Sequence, residues 1–201
     1  MNIDSGSASH MPNFQGLLSL KGEFDAFAFY VATGAAYGRE DYAGGVKISG
    51  KGDPVYGDEV DVWLYNVGGK IVHKYVQVSG KYYIGRNLDM FGVFGGALTY
   101  DNNGKVDGSL KATGYWVQLS LTPFSFLSMH TGVGSEDPDN EFAKYTENKS
   151  FWFSTFYEPF EPFQIGFQWM QLQTFVPEGD GSTEVNELLS NSFMGSVKLT
   201  F

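Results

Sequence analysis

The chain has 201 residues with 18 Phe, 12 Tyr, 26 Gly and no Cys, and its formal net charge is -10. That charge excludes nucleic acid as a partner, because holding phosphates takes clustered Lys and Arg, and the missing cysteine excludes disulfides, thiolate chemistry and cysteine metal sites. Charged residues make up only 18% against 17% aromatics, which is too little charge for the outside of a soluble domain, and no 18-residue apolar run is present to form a transmembrane helix.

Met1 to Met11 reads as a vector-derived leader without a visible signal peptide, so one domain is expected over residues 12–201. Asn13 to Gly22 then offers an extra strand with Phe14, Gly16, Leu18 and Leu20 on one face. Phe27, Phe29, Val31 and Ala35 alternate with Ala28, Tyr30, Ala32 and Gly34. Val46/Ile48 and Val60/Val62/Leu64 are weaker matches, the latter alternating with Asp61 and Trp63. Val76, Val78, Gly80, Tyr82 and Ile84 alternate with Gln77, Ser79, Lys81 and Tyr83. Between Phe91 and Tyr100 the parity slips, and Gly95-Gly96 marks a bulge. Alternation returns at Tyr115 to Leu121, Leu127 to Val133, Phe163 to Trp169 and Phe193 to Phe201.

Period two over about nine residues makes a strand with one apolar and one mostly polar face. Tight connections are expected around Phe24, Gly52-Asp53-Pro54, Arg86-Asn87-Leu88, Thr122-Pro123-Phe124 and Glu158 to Pro162. Long connections are expected at Asn102 to Gly108, Gly134 to Asn148 and Pro177 to Asn191. The two classes alternate along the chain, as short and long loops do at the two ends of a barrel. The expected fold is all-β: an antiparallel up-and-down transmembrane β-barrel of about 10–12 strands, with both termini at the short-turn end. A soluble β-barrel or sandwich also alternates, but its outer face needs charges that these strands lack.

Val117, Leu119, Ile165, Phe167, Val197 and Leu199 are expected to face lipid. Lys47, Glu59, Asp61, Gln77, Lys81, Gln118, His130, Gln164, Gln168 and Lys198 are expected to line the lumen. The aromatics Tyr30, Trp63, Tyr75, Tyr83, Trp116 and Trp152 share that inner side. Clusters such as Phe151-Trp152-Phe153 and Phe156-Tyr157 suit the interfacial girdles of a barrel.

Four segments resemble the C-terminal part of a Gram-negative porin: Gly114 to Pro123, Ser150 to Phe160, Phe163 to Trp169, and the closing Lys198-Leu199-Thr200-Phe201. The resemblance covers a little under half of the chain. It implies a bacterial outer-membrane location, passive diffusion of small hydrophilic solutes or ions, and lipid around the barrel. It also implies that Phe201 is an assembly signal read by the barrel-assembly machinery through the last strand. Porins have about sixteen to eighteen strands, so the chain is either a narrow barrel or a shortened porin. A narrow or engineered structural or adhesive barrel with a filled lumen is the alternative function.

Catalysis has one candidate pair. Ser128 and His130 share a strand face, and a nucleophile needs a base within hydrogen-bond reach and a third group to orient it. That pair supports an outer-membrane lipid-modifying enzyme as a third reading, behind a lumen-lining histidine and no enzyme. The acidic runs Ser135 to Glu141 and Glu178 to Gly181 lack the spacing of an EF-hand and read as solvated loops. Asp101-Asn102-Asn103-Gly104 reads as a turn. No metal and no cofactor are expected.

Overall fold

The computed structural model describes residues 14–41, 59–86, 88, 98–100, 106–109, 111–138, 147–177 and 185–199. The expected leader, Lys47, Gly52-Asp53-Pro54, Gly95-Gly96 and Phe201 lie outside them, as does the side chain of Glu59. Eleven strands are described: β1 (Phe14–Phe24), β2 (Phe27–Asp41), β3 (Glu59–His73), β4 (Val76–Arg86), β5 (Leu98–Tyr100), β6 (Val106–Ser109), β7 (Lys111–Phe124), β8 (Leu127–Pro138), β9 (Asn148–Phe160), β10 (Phe163–Pro177) and β11 (Val185–Leu199). Nine of them form one sheet in the order β1-β2-β3-β4-β7-β8-β9-β10-β11, while β5 pairs only with β6. Every pairing is antiparallel, so the wall is an up-and-down meander. Among the described residues nine strands build the wall, against about 10–12 expected for a barrel, and β5 and β6 make a separate pair.

Four two-residue turns lie at one end of the sheet: Asp25-Ala26, Lys74-Tyr75, Ser125-Phe126 and Glu161-Pro162. Asp25 sits at φ 53, a left-handed conformation that aspartate tolerates better than most residues. The longer connections all lie at the other end. Arg86-Asn87-Leu88 therefore begins a long connection and is not a tight turn. The tight turn is at Lys74-Tyr75, which carries no glycine, proline or asparagine to announce it.

The chain termini, both expected at the short-turn end, lie outside the described residues. β1 starts at the long-connection end and β11 finishes at the turn end. Nine is odd, so the first and last strands of the meander run the same way. Neither is hydrogen-bonded to the other, and the sheet has two edges among the described residues.

The two faces differ in chemistry and exposure. One hydrogen-bonded row, Phe24, Phe27, His73, Val76, Leu121, Met129, Thr155, Phe167 and Gly195, marks the apolar face at the turn end. Along β7, Tyr115, Val117 and Leu119 on that face are exposed, whereas Ala112, Gly114 and Ser120 on the polar face are buried. Ser79 and Ser154 are buried on the polar face as well. The wall therefore curls with its polar face inward and its apolar face outward, which reverses the layout of a water-soluble sheet.

Exposed Phe24, Phe27, Phe124, Phe126, Tyr157 and Phe160 crowd the turn end. Phe124 stacks on Phe126 at 5.2 Å, Phe126 meets Tyr157 edge-on at 6.0 Å, and Phe160 stacks on Phe163 at 5.6 Å. Tyr65, Tyr82 and Tyr115 are exposed on the apolar face nearer the other end. From Tyr115 to Phe124 the strand covers about 30 Å. At a barrel tilt this is about 22 Å along the normal, close to the apolar band of an outer-membrane barrel.

At the long-connection end Val62, Leu88 and Ala112 are fully buried. Leu88 lies against Gly85, where a Cβ would overlap its side chain and the Trp63 carbonyl. The start of the β4–β5 connection thus turns in over the polar face.

Candidate functional site: the polar face of the wall

Gln77, Lys81, Gln118, His130, Gln164, Gln168 and Lys198 all stand on the polar face. Asp61 does not. The register pairs it with Arg39 and puts it on the face of Tyr65 and Val67, together with Trp63. β3 is one unbroken strand to His73, so the parity of its apolar half fixes Asp61 outward and Val62 and Leu64 inward. Beyond the aromatic band Asp61 accepts hydrogen bonds from the Tyr37 hydroxyl at 2.9 Å and from Arg39 Nε at 3.0 Å. Val117, Leu119, Ile165, Phe167, Val197 and Leu199 share the apolar face, and all six are exposed.

Two adjacent rows cross the centre of the polar face. One runs Lys21, Tyr30, Lys70, Ser79, Gln118, Gly132, Trp152 and Met170. The next, toward the turns, runs Val72, Gln77, Ser120, His130, Ser154 and Gln168. Side chains link them into one network. Trp152 Nε1 donates to Gln118 Oε1 at 3.2 Å, and Gln118 Nε2 donates to Ser120 Oγ at 3.1 Å. Ser120 Oγ lies 2.9 Å from His130 Nδ1, and Ser128 Oγ lies 3.3 Å from His130 Nε2. The edge of the pair is closed by Phe156, T-shaped to His130 at 5.6 Å. The Ser128–His130 contact read from the sequence is present. Ser120 was missed because it reaches His130 from the neighbouring strand, where only register reveals it.

Two of the inward aromatics are seated on glycines. A Cβ at Gly132 would overlap the Trp152 indole, and one at Gly114 would overlap the Tyr83 ring. Trp152 leans across Gly132 and bonds to Gln118 on the strand beyond, and Tyr83 leans across Gly114 toward the side of Glu136. The rings therefore lie along the wall instead of projecting from it.

At the long-connection end Glu147 accepts from Ser135 Oγ at 2.7 Å and pairs with Lys149 Nζ at 2.8 Å. Burial pushes the Glu147 carboxyl upward, but the bonds from Lys149 and Ser135 outweigh it and hold the group below the usual carboxylate range. Thr174 Oγ1 donates to Asn148 Oδ1 at 2.8 Å beside it. Among the described residues no cluster of three or more His, Cys, Asp or Glu has metal-binding geometry.

No family model and no curated protein matches the chain. Among solved structures it is similar to "Outer-membrane expressed OmpT of Vibrio cholerae", with a TM-score of 0.54 and 12% identity. The match covers 92% of this chain and 55% of that one, so the chain spans about half the length of the protein it resembles. At that identity the likeness carries the fold alone. The fold is all-β, antiparallel and up-and-down, of the outer-membrane β-barrel kind.

Proposed function

We propose that the sheet is the wall of an outer-membrane channel through which small hydrophilic solutes or ions diffuse passively. The observation that carries this reading is the seating of Trp152 and Tyr83 over Gly132 and Gly114. Large inward aromatics are the strongest argument for a filled lumen, and two of them are folded against the wall beside Gln, Ser and Lys side chains that suit water. Outer-membrane lipid covers the apolar face in this reading, and β11 with Phe201 is the strand presented to the barrel-assembly machinery. Planar-bilayer conductance of the refolded protein is the test. Stable ohmic steps, lowered by Gln118→Trp, support the channel. Silent bilayers that hold inserted protein reject it.

The Ser128–His130 contact favours a second reading, a lipid-modifying enzyme. Among the described residues the groups bonded to the imidazole are two serine hydroxyls, so the orienting role falls to Ser120, without a carboxylate to stabilise an imidazolium. Phospholipid hydrolysis that is lost in both Ser128→Ala and His130→Ala supports this reading, and turnover surviving in His130→Ala removes it.

A further inference from the structure

The positive charge of the central polar face is gathered on one side of the wall. Lys21, Lys70 and Lys81 stand on β1, β3 and β4, whereas the central rows of β7 to β10 carry Gln, Ser, Trp and His. Lys21 and Lys70 both face Tyr30 from opposite sides in one row, about 10 Å apart along the sheet. Lys81 stands on the next strand, one step farther from the turns, opposite Gly68. Lys21 lies 5.8 Å from the centre of the Tyr30 ring. Among the described residues none of the three ammonium groups forms an ion pair, although the chain carries a net charge of -10. Glu23 is the nearest carboxylate on the same face in sequence, two residues from Lys21 toward the turn.

The floor between the lysines is open. Tyr30, Asn66, Lys70, Ser79, Lys81 and Trp116 line one concavity, and a second adjoins it at Tyr30 and Lys70, lined by Lys21 and, toward the turn, by Glu23. Gly68 and Ala32 place no bulk between the charges. Unpaired cations on an inward-curving wall concentrate anions, and the attraction is strongest for multiply charged ones. Lysine heads act as point charges on flexible stems, which suits a small oxyanion that arrives in any orientation. The Ser79 hydroxyl, the Asn66 amide and the Tyr30 hydroxyl lie in the same lining as neutral hydrogen-bond donors.

We propose that Lys21, Lys70 and Lys81 form a binding site for small multivalent oxyanions, of the phosphate and phosphorylated-solute class, on the path through the wall. The inference rests on the channel reading for its place in transport, but the site itself is tested without conduction. The folded protein in detergent is titrated calorimetrically with inorganic pyrophosphate at low ionic strength. The native chain should bind, with affinity falling steeply as salt rises. Lys70→Gln/Lys81→Gln should weaken binding at least tenfold, while Lys74→Gln, in a turn, should leave it unchanged. Equal binding in the double variant and the native chain, or no binding at all, overturns the site. Reversal potentials in a salt gradient separate the two claims. An anion preference lost in the double variant supports both. Conductance with no pyrophosphate binding and no anion preference overturns the site and leaves the channel. Pyrophosphate binding with silent bilayers leaves the site and overturns the channel.

Discussion

A single hydrogen at Gly132 decides where the Trp152 indole goes. A methyl group there would overlap the ring, so Gly132→Ala should push Trp152 off the wall and break its bond to Gln118. Overpacking of this kind costs about 1–3 kcal/mol. Equilibrium unfolding from detergent or liposomes should show that loss with a shift in tryptophan emission, and an unchanged midpoint would mean that the ring is not seated there. None of this was legible in the chain, because Gln118, Gly132 and Trp152 sit on three strands and meet only through register. The Ser128–His130 pair was legible, since period two alone puts residues two apart on one face. Glu147 supplies a pH prediction at the same scale. Its carboxyl is held below the ordinary range by Lys149 and Ser135. Such a group adds stability above its unfolded pKa and loses it as pH falls through the depressed folded value. Thermal unfolding should therefore lose a component on acidification that Glu147→Gln, already neutral, does not show. The group is partly exposed, so the component is small.

Within a strand, depth in the apolar band sets the cost of a charge. Leu119 lies midway along β7 between Tyr115 and Phe124, whereas Ile165 lies beside Tyr157 and two residues from Phe163 at the turn end. Leu119→Arg should cost about 2–4 kcal/mol on folding into liposomes, and Ile165→Arg about 0–1 kcal/mol, because the penalty falls toward the interface. Gln118→Arg, on the polar face, is the reference for the Leu119 comparison. Equal effects at Leu119 and Gln118 would remove the lipid assignment of the apolar face. Strand existence was legible wherever the alternation was long and uninterrupted, as in β1, β2, β4, β7, β8, β10 and β11. The β3–β4 turn was not, because Lys74-Tyr75 has no turn-forming residue. Asp61 was placed on the wrong face for a related reason. A charged residue between valines suggests an inward position, but β3 continues past the aromatic band, and there a charge faces outward beside Arg39.

Among the described residues the sheet ends in two edges, and these govern the molecule as a whole. A hydrocarbon bilayer cannot satisfy open strand edges, so a wall of this kind has to be paired at β1 and β11 to span it. Side-chain exposure identifies the same places. Leu18 on β1 is 73% exposed, against 37% for Leu119 in the middle of the wall. Gly16 and Gly195, on the two edge strands, have nothing within 4 Å of where a Cβ would stand, while Gly80, Gly114 and Gly132 on interior strands meet a neighbour. β1 and β11 run in the same direction, so a seam between them is parallel, whether one chain closes on itself or two chains of the same orientation meet. Long edge strands with one apolar face drive association, and added lysine on that face is a common way to suppress it. The refolded chain in detergent should therefore scatter light as two or more copies, and Leu18→Lys/Leu20→Lys should reduce it to one. A native particle of a single chain, with the outward-facing amides of β1 protected from hydrogen exchange, would mean instead that β1 and β11 close on each other. The lumen would then be ringed by nine strands, close to the eight-stranded barrels whose interiors side chains fill, and the channel reading would have to rest on the rings folded over Gly114 and Gly132 alone.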